Sequence, residues 1–313
     1  MSLIVSSLST YAFDKGPKLM SLALLKNSLT KIATPYQSTG GAFDIPVVTS
    51  VPVIQGGGVC GTSKSGSTTI TSVRVTLCDL MVADSLCVNT LKSKLTSQYV
   101  SPDMNETQSL GMMTEDVVNS IIDGVAVKVE KGLWGYDTDI NTTLNCVGIK
   151  QLVENTAYSG SVVTVNFTGA TTALSGNTTS ANVLARVNEL TAAYSVDATS
   201  KPSTLFVTPQ NYKLFLQALT TANLFHYKPD DVIEGCEIPG SMGIRISPMV
   251  GLTDNKIWYL TYNENIAPVF NKIGAEEDIT FEKGSGRTLD YFIEWKQGVQ
   301  IIFPTQMVVG RQP

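Results

Sequence analysis

Histidine is almost missing from this chain: His226 is the only one among 313 residues, so any scheme pairing histidine with serine, cysteine or a second histidine must pass through it. It sits in NLFHYKPDD, between an apolar pair and a proline turn, with no serine or cysteine motif of catalytic spacing nearby, and reads as a surface or partly packed side chain. Charge is also scarce. Only 16% of residues are charged while 43% are hydrophobic, against about 25% charged in ordinary soluble domains, which points to faces buried between subunits. The 22 basic and 27 acidic residues give a formal net charge of -5 with no Lys/Arg run, so no bulk attraction to nucleic acid or anionic membrane is expected. No apolar run approaches the roughly 18 residues of a membrane helix. The cysteines, Cys60, Cys78, Cys87, Cys146 and Cys236, lack C-x-x-C pairs or any short spacing that could assemble a zinc site, and reduced thiols are the expectation. In MSLIVSSLSTYAFDKGPK the first lysines come after the apolar residues instead of preceding them, so no secretory signal is expected. Sequons begin at Asn105, Asn141, Asn166 and Asn177, as chance produces in a threonine-rich chain.

What is present is long enough for about two domains. Leu22, Leu25, Leu29 and Ile32 recur at helical spacing between lysines, a short amphipathic helix in need of a surface. FDIPVVTSVPVIQ comes next, its Pro46 and Pro52 arguing for edge strands. ITSVRVTL then puts Val73, Val75 and Leu77 on one face and Ser72, Arg74 and Thr76 on the other. Together these predict a long β-hairpin with a Gly/Ser/Thr-rich tip. Asn89 is a candidate cap for a short helix carrying Leu91, Leu95 and Tyr99. The strongest helix is expected over 114–134, with Thr114 as N-cap, Glu115 and Asp116 in the first turn, and Val118, Ile122, Val125, Val129 and Leu133 along one face. Further on, a helix with Val183, Val187, Leu190 and Tyr194, a strand in SKPSTLFVT, a helix capped by Thr208 and Pro209, and strands MGIRIS and KIWYLTY alternate as in an α/β or α+β domain. From Asn265 onward the pattern is strand, with Leu289, Tyr291, Ile293 and Trp295 on one face.

Several stretches mimic chemistry. GGGVCGTSKS, residues 56–65, matches G-x-G-x-x-G and nearly a P-loop, but such turns work only where a strand feeds a helix whose amides hold phosphate. Here a threonine-rich, period-two strand pattern comes next, and Ser63 stands where the P-loop needs glycine, so a hairpin tip is the better reading. Asp137, Asp139 and Asn141 begin like a calcium loop, yet Thr142 replaces the turn glycine and Gly148 the bidentate glutamate. A polar loop is favoured there, with cation binding as the alternative. The acidic clusters Asp230-Asp231 and Glu276-Glu277-Asp278 read as solvated loops. Trp134, Trp258 and Trp295 read as core or interface anchors. No catalytic constellation emerges, and no cofactor or metal site is assigned.

Taken in order, these parts resemble the major capsid proteins of tailed double-stranded DNA phages, the Hong Kong 97 type capsid fold. EDVVNSIIDGVAVKVEKGLWGYD is similar to that family's long spine helix, STLFVTPQNYKLFLQAL to a strand that enters a helix through a proline turn, and IWYLTYNENIAPVFN with LDYFIEWKQGVQIIFPTQMVV to its closing strands. The spacing of SLCVNTLKSKL is similar to capsid proteins of phages of the gut Bacteroidetes kind. The resemblance implies an α+β fold with an N-terminal arm over 1–42 and an E-loop hairpin over 43–76. A peripheral (P) domain would cover 77–144 with its spine helix at 114–134, an inserted axial (A) domain 145–262, and returning P-domain strands 263–313. No partner for the family's Lys-Asn cross-link matches, so cross-linking is not carried over.

On that resemblance the protein is a non-enzymatic subunit that self-assembles into hexamers and pentamers of an icosahedral virion shell around the phage genome, built in the host cytoplasm. The expected intersubunit contacts are Leu22, Leu25, Leu29 and Ile32 of the arm and Val59, Cys60 and Lys64 of the hairpin tip. Partners implied are other copies of the chain, scaffolding, portal and decoration proteins, and packaged double-stranded DNA held non-specifically, with no membrane. The nearest rival is an encapsulin-like nanocompartment of the same fold; an α/β metabolic enzyme and a phage tail or adhesion protein are further rivals. A long glycine-tipped hairpin separates the viral shell from the first, the single histidine counts against the second, and the long helix counts against the third.

Overall fold

The computed structural model describes residues 28–51, 66–87, 106–154, 163–166, 178–194, 200–222, 235–271, 279–283 and 288–312. Leu22, Leu25, Val59, Cys60, Lys64, His226, the glycine-rich stretch, both acidic clusters and the helix expected after Asn89 lie outside them.

A short helix α1 (Ser28–Ile32) leads through β1 (Tyr36–Gln37) into a hairpin of β2 (Ala42–Val51) and β3 (Ser67–Thr76). The two strands pair antiparallel from Ala42↔Thr76 to Val51↔Ser67 and form a sheet of their own, which is how β2 accommodates Pro46. The segment downstream of residues 56–65 is therefore a strand and no helix, as the period-two pattern indicated. One residue after β3, β4 (Cys78–Cys87) begins in a different sheet.

The long helix α2 spans Glu106–Trp134. It starts at Glu106 and not after Thr114, because Thr107, Gln108, Leu110 and Met112 include good helix formers and no proline interrupts the run. Ile122, Val125, Val129 and Leu133 are buried as their spacing required. A π-helical turn (Thr138–Thr143) and α3 (Ile149–Glu154) come after it.

The rest of the chain contributes β5 (Val163–Asn166), α4 (Val183–Ala193), β6 (Ser203–Val207), α5 (Pro209–Thr221), β7 (Cys236–Glu237), β8 (Arg245–Pro248), β9 (Ile257–Tyr262), β10 (Ile266–Phe270), β11 (Ile279–Lys283), β12 (Thr288–Ile301) and β13 (Met307–Arg311). The α5 cap forms as expected: the Thr208 hydroxyl accepts from the Asn211 amide at 3.2 Å, with Pro209 in the first turn.

Two larger sheets result. In one, β12 pairs antiparallel with β4, β10 and β11, and β1 adds parallel to β10. Tyr291, Ile293 and Trp295 of β12 point into the core while Glu294 faces out. The other sheet runs β5-β13-β9-β6-β8-β7. Its central strands β6, β9 and β13 are buried on both faces, which explains why KIWYLTY shows no polar alternation. Leu205, Val207, Trp258, Leu260 and Val308 pack under α4 and α5, whereas Phe206, Tyr259, Met307 and Val309 pack toward α2.

Three expectations are corrected by the fold. The chain from 263 onward does not return as one group, because Pro304 opens a 3-10 turn (Pro304–Gln306) and β13 then leaves the β12 sheet to pair with β9 and β5. Cys78 and Cys146 are not separate thiols but a disulfide, their Cα atoms 5.9 Å apart. Leu29 is 0% exposed inside its own subunit's core, with Ile32 packed against the same cluster, so Leu29 does not wait for a neighbour.

Candidate assembly surfaces

The docking of Leu29 has a polar cause. Glu130 of α2 is 3% exposed, and its carboxylate accepts from the Ser28 amide at 3.1 Å, from the Ser28 hydroxyl, and from the Gly251 amide at 3.0 Å. One side chain thus joins the arm, the long helix and the loop after β8. A carboxylate that accepts from several donors stays compatible with burial, because charge-assisted hydrogen bonds replace its water. The sequence carried a signal for it: Glu130 lies four residues after Ala126 and four before Trp134, which sets it beside the apolar stripe.

Around Glu130 the foot of α2 is a close-packed joint. Trp134 lies 5.3 Å from the Phe206 ring and 5.4 Å from Tyr259, centroid to centroid. Gly148 is required by close approach, since a Cβ there would stand 2.5 Å from the Gly135 backbone. Tyr136 and Tyr259 place their hydroxyls 3.4 Å apart, and burial pushes both well above the ordinary tyrosine range.

The Asp137 loop is used up in the same joint. The Asp137 carboxylate caps the Ile140 amide at 3.0 Å, Asp139 pairs with Lys128 at 2.6 Å, and the Asn141 amide donates to the Gly132 and Cys146 carbonyls at 2.9 Å. Asp137 and Asn141 hold backbone while Asp139 holds the Lys128 side chain, which favours the polar-loop reading, and no cluster of three or more metal-ligating side chains occurs among the described residues. Asn141 is buried, so its sequon is no glycan acceptor in the fold.

The hairpin is built differently. Its root is anchored: Ile45, Val75 and Leu77 pack on Ala267 and Val269, and Gln300 donates to the Arg74 carbonyl at 3.0 Å. Beyond Val47 both described faces are exposed. Val48 and Ile70 sit directly opposite each other, 61% and 73% exposed, an apolar cross-strand pair with no core beneath it. A groove of about 530 Å³ lies beside the root, walled by Tyr36, Val47, Lys201, Tyr262, Glu264 and Phe303.

An isolated two-stranded ribbon rooted on one sheet, a long helix packed on that sheet, and a second sheet whose central strands are covered on both faces make up a mixed α+β fold that resembles the Hong Kong 97 type fold of phage capsid proteins. The chain superimposes on the satellite phage P4 procapsid with a TM-score of 0.59 at 11% identity, covering 94% of this chain and 90% of that one. For the capsid of an empty GTA particle the values are 0.57 and 12%, covering 91% and 89%. A virus-like particle from Pyrococcus furiosus gives 0.52 and 11%, covering 96% and 99%. No protein-family model matches the chain. No curated protein matches its sequence.

Proposed function

We propose that this chain is the major capsid protein of a tailed double-stranded DNA phage and acts by self-assembly into a closed shell, without catalysis. The observation that carries the reading is the hairpin. A two-stranded ribbon is marginal by itself in water, and the exposed Val48–Ile70 pair gains burial only on another surface, for which a second copy of the chain is the natural source. The hairpin would be the E-loop, α2 the spine helix of the P domain, and the doubly covered sheet the core of the A domain. The arm, with Leu29 docked on its own α2, would reach a neighbour through residues before Ser28. A net charge of -5 suits a shell that encloses DNA without gripping it. The gut Bacteroidetes phage assignment rests on the SLCVNTLKSKL spacing alone. Scaffolding, portal and decoration proteins are the partners such a shell would engage, and the virion is its location.

Negative-stain microscopy with light scattering on the purified protein, alone and co-expressed with the scaffolding product of the same genome, tests the reading. Closed particles of uniform diameter are expected in at least one arm. A monomer or small oligomer in both arms, at every salt and protein concentration, would overturn it.

A further inference from the structure

We propose that Cys78 and Cys146 form a redox latch at the root of the hairpin, open in a reducing compartment and closed in an oxidising one. Cys78 is the first residue of β4, set opposite Gln297 by the antiparallel ladder with β12. Cys146 is held by different contacts: its amide donates to the Ile140 carbonyl at 3.0 Å, and its carbonyl accepts from Asn141 at 2.9 Å. Neither position depends on the bond between them. With the bond reduced, the two thiols still face one another, so the link can open and close without refolding.

The bond ties together two parts that lie 68 residues apart in the chain. Cys78 lies one residue beyond Leu77, where the hairpin ends, and Cys146 lies just past the π-helical turn at the foot of α2. Closing the latch fixes the hairpin root to the long helix. Cys146 is buried and Cys78 half-buried, which makes Cys78 the sulfur that a small molecule reaches first. In the closing reaction the Cys78 thiolate attacks a low-molecular-weight disulfide, releasing one thiolate and leaving a mixed disulfide on Cys78. The Cys146 thiolate then attacks the Cys78 sulfur and expels the second thiolate. Two protein thiols lose two protons and two electrons, and one small disulfide becomes two thiols. Opening is the reverse, driven by excess small thiol.

Cytoplasmic thiol pools keep such pairs reduced, whereas the extracellular medium does not. The timing of the latch rests on the capsid reading: open while subunits assemble inside the host, closed in the released particle. The latch itself does not rest on it.

The test uses the full chain, purified in dithiothreitol and then exchanged into oxidised glutathione. Alkylation with iodoacetamide in denaturant, followed by mass spectrometry, should find Cys78 and Cys146 both labelled in the first state, and in the second neither labelled and the two joined to each other. Tryptic cleavage after Arg74, at the hairpin root, should slow by about tenfold on oxidation, since cleavage tracks the population of the opened form. The melting temperature should rise by about 5–10 °C. The C78S/C146S double variant should behave like the reduced protein in both buffers. Where that variant fails to fold, the reduced wild-type chain supplies the same comparison. Persistent labelling of both cysteines in oxidised glutathione, or oxidation that leaves cleavage and melting unchanged, overturns the latch. Both readouts are taken on the subunit, so a chain that builds no particles yet shows the redox change sinks the capsid reading and leaves the latch standing. Alkylation of particles before and after host lysis tests the timing, and a bond already complete inside the host overturns that part.

Discussion

At the foot of α2, Trp134, Phe206 and Tyr259 stack around a helix end where Gly148 lets two backbones touch and Glu130 collects donors from the arm and from the loop after β8. Out along the hairpin, by contrast, Val48 and Ile70 face solvent on a ribbon two strands wide. The first region buries its aromatic centre and its carboxylate inside the chain, and only its rim leaves apolar side chains, Leu144, Val147 and Val250, exposed. The second has strand pairing throughout but, beyond Val47, no core within the subunit for its apolar pair to pack on. Stability of the subunit and capacity to assemble are thus lodged in different places, and substitutions should separate them.

The largest effect is expected from Trp134→Ala, which empties the centre of the joint and should cost about 3–5 kcal/mol of subunit stability. Calorimetry would measure it, and a loss below about 1 kcal/mol would mean that the joint is not what holds the two sheets together. Next comes Glu130→Ala, which orphans the Ser28 and Gly251 amides at roughly 1–3 kcal/mol for each buried donor. Hydrogen exchange should then accelerate at those two amides while β12 stays protected; equal exchange everywhere would show that Glu130 does not pin the arm.

A pH titration should produce a smaller change, to which the joint contributes beside Tyr194, Tyr262 and Tyr291, whose hydroxyls burial also raises. Because burial raises Tyr136 and Tyr259 in the folded state, they hold their protons where the unfolded chain releases them. Their contribution to stability is therefore constant below the ordinary tyrosine value of about 10 and falls as pH rises beyond it. Denaturant midpoints taken on either side of about pH 10 would reveal it, and Tyr259→Phe should make the slope shallower by removing one of these groups. At the other extreme, Val48→Thr with Ile70→Thr should change subunit stability by no more than about 0.5 kcal/mol. The same pair should sharply reduce particle yield in microscopy. Unaltered assembly of that double variant would break the contrast between the two regions.

How much of this was legible beforehand depended on whether the cause was local. The Thr208–Pro209 cap and the β12 face of Tyr291, Ile293 and Trp295 are set by neighbours in the chain, and pattern alone places them. Thr114 misled because a residue that caps helices well is equally able to sit inside one when nothing upstream breaks it. The docking of Leu29 required Glu130, whose place beside the apolar stripe was readable but whose partners Ser28 and Gly251, far away in the chain, were not. Cys78 and Cys146, separated by 68 residues, meet only once β4 and the foot of α2 are in place. The departure of β13 came from a sheet with both faces covered, a property of the fold that no single strand announces. For the assembly surface, Val48 and Ile70 were readable as hairpin residues, while the contrast between a buried root and an exposed outer half appeared only with the packing of Val75 on Val269.

Leu77 alone carries the chain from the hairpin ribbon into the β12 sheet, with its amide bonded to the Gly41 carbonyl at 3.0 Å as the last rung. Ten residues of β3 extend from that point, a rod of about 33 Å at the usual strand rise. Turning such a rod through about 10° at one residue's torsions displaces its far end by about 6 Å, while the strands along it keep their pairing. A shift of about 1–2 Å where Val75 and Ile45 pack at the root thus becomes, at the end of the rod, one wider than the spacing between neighbouring strands.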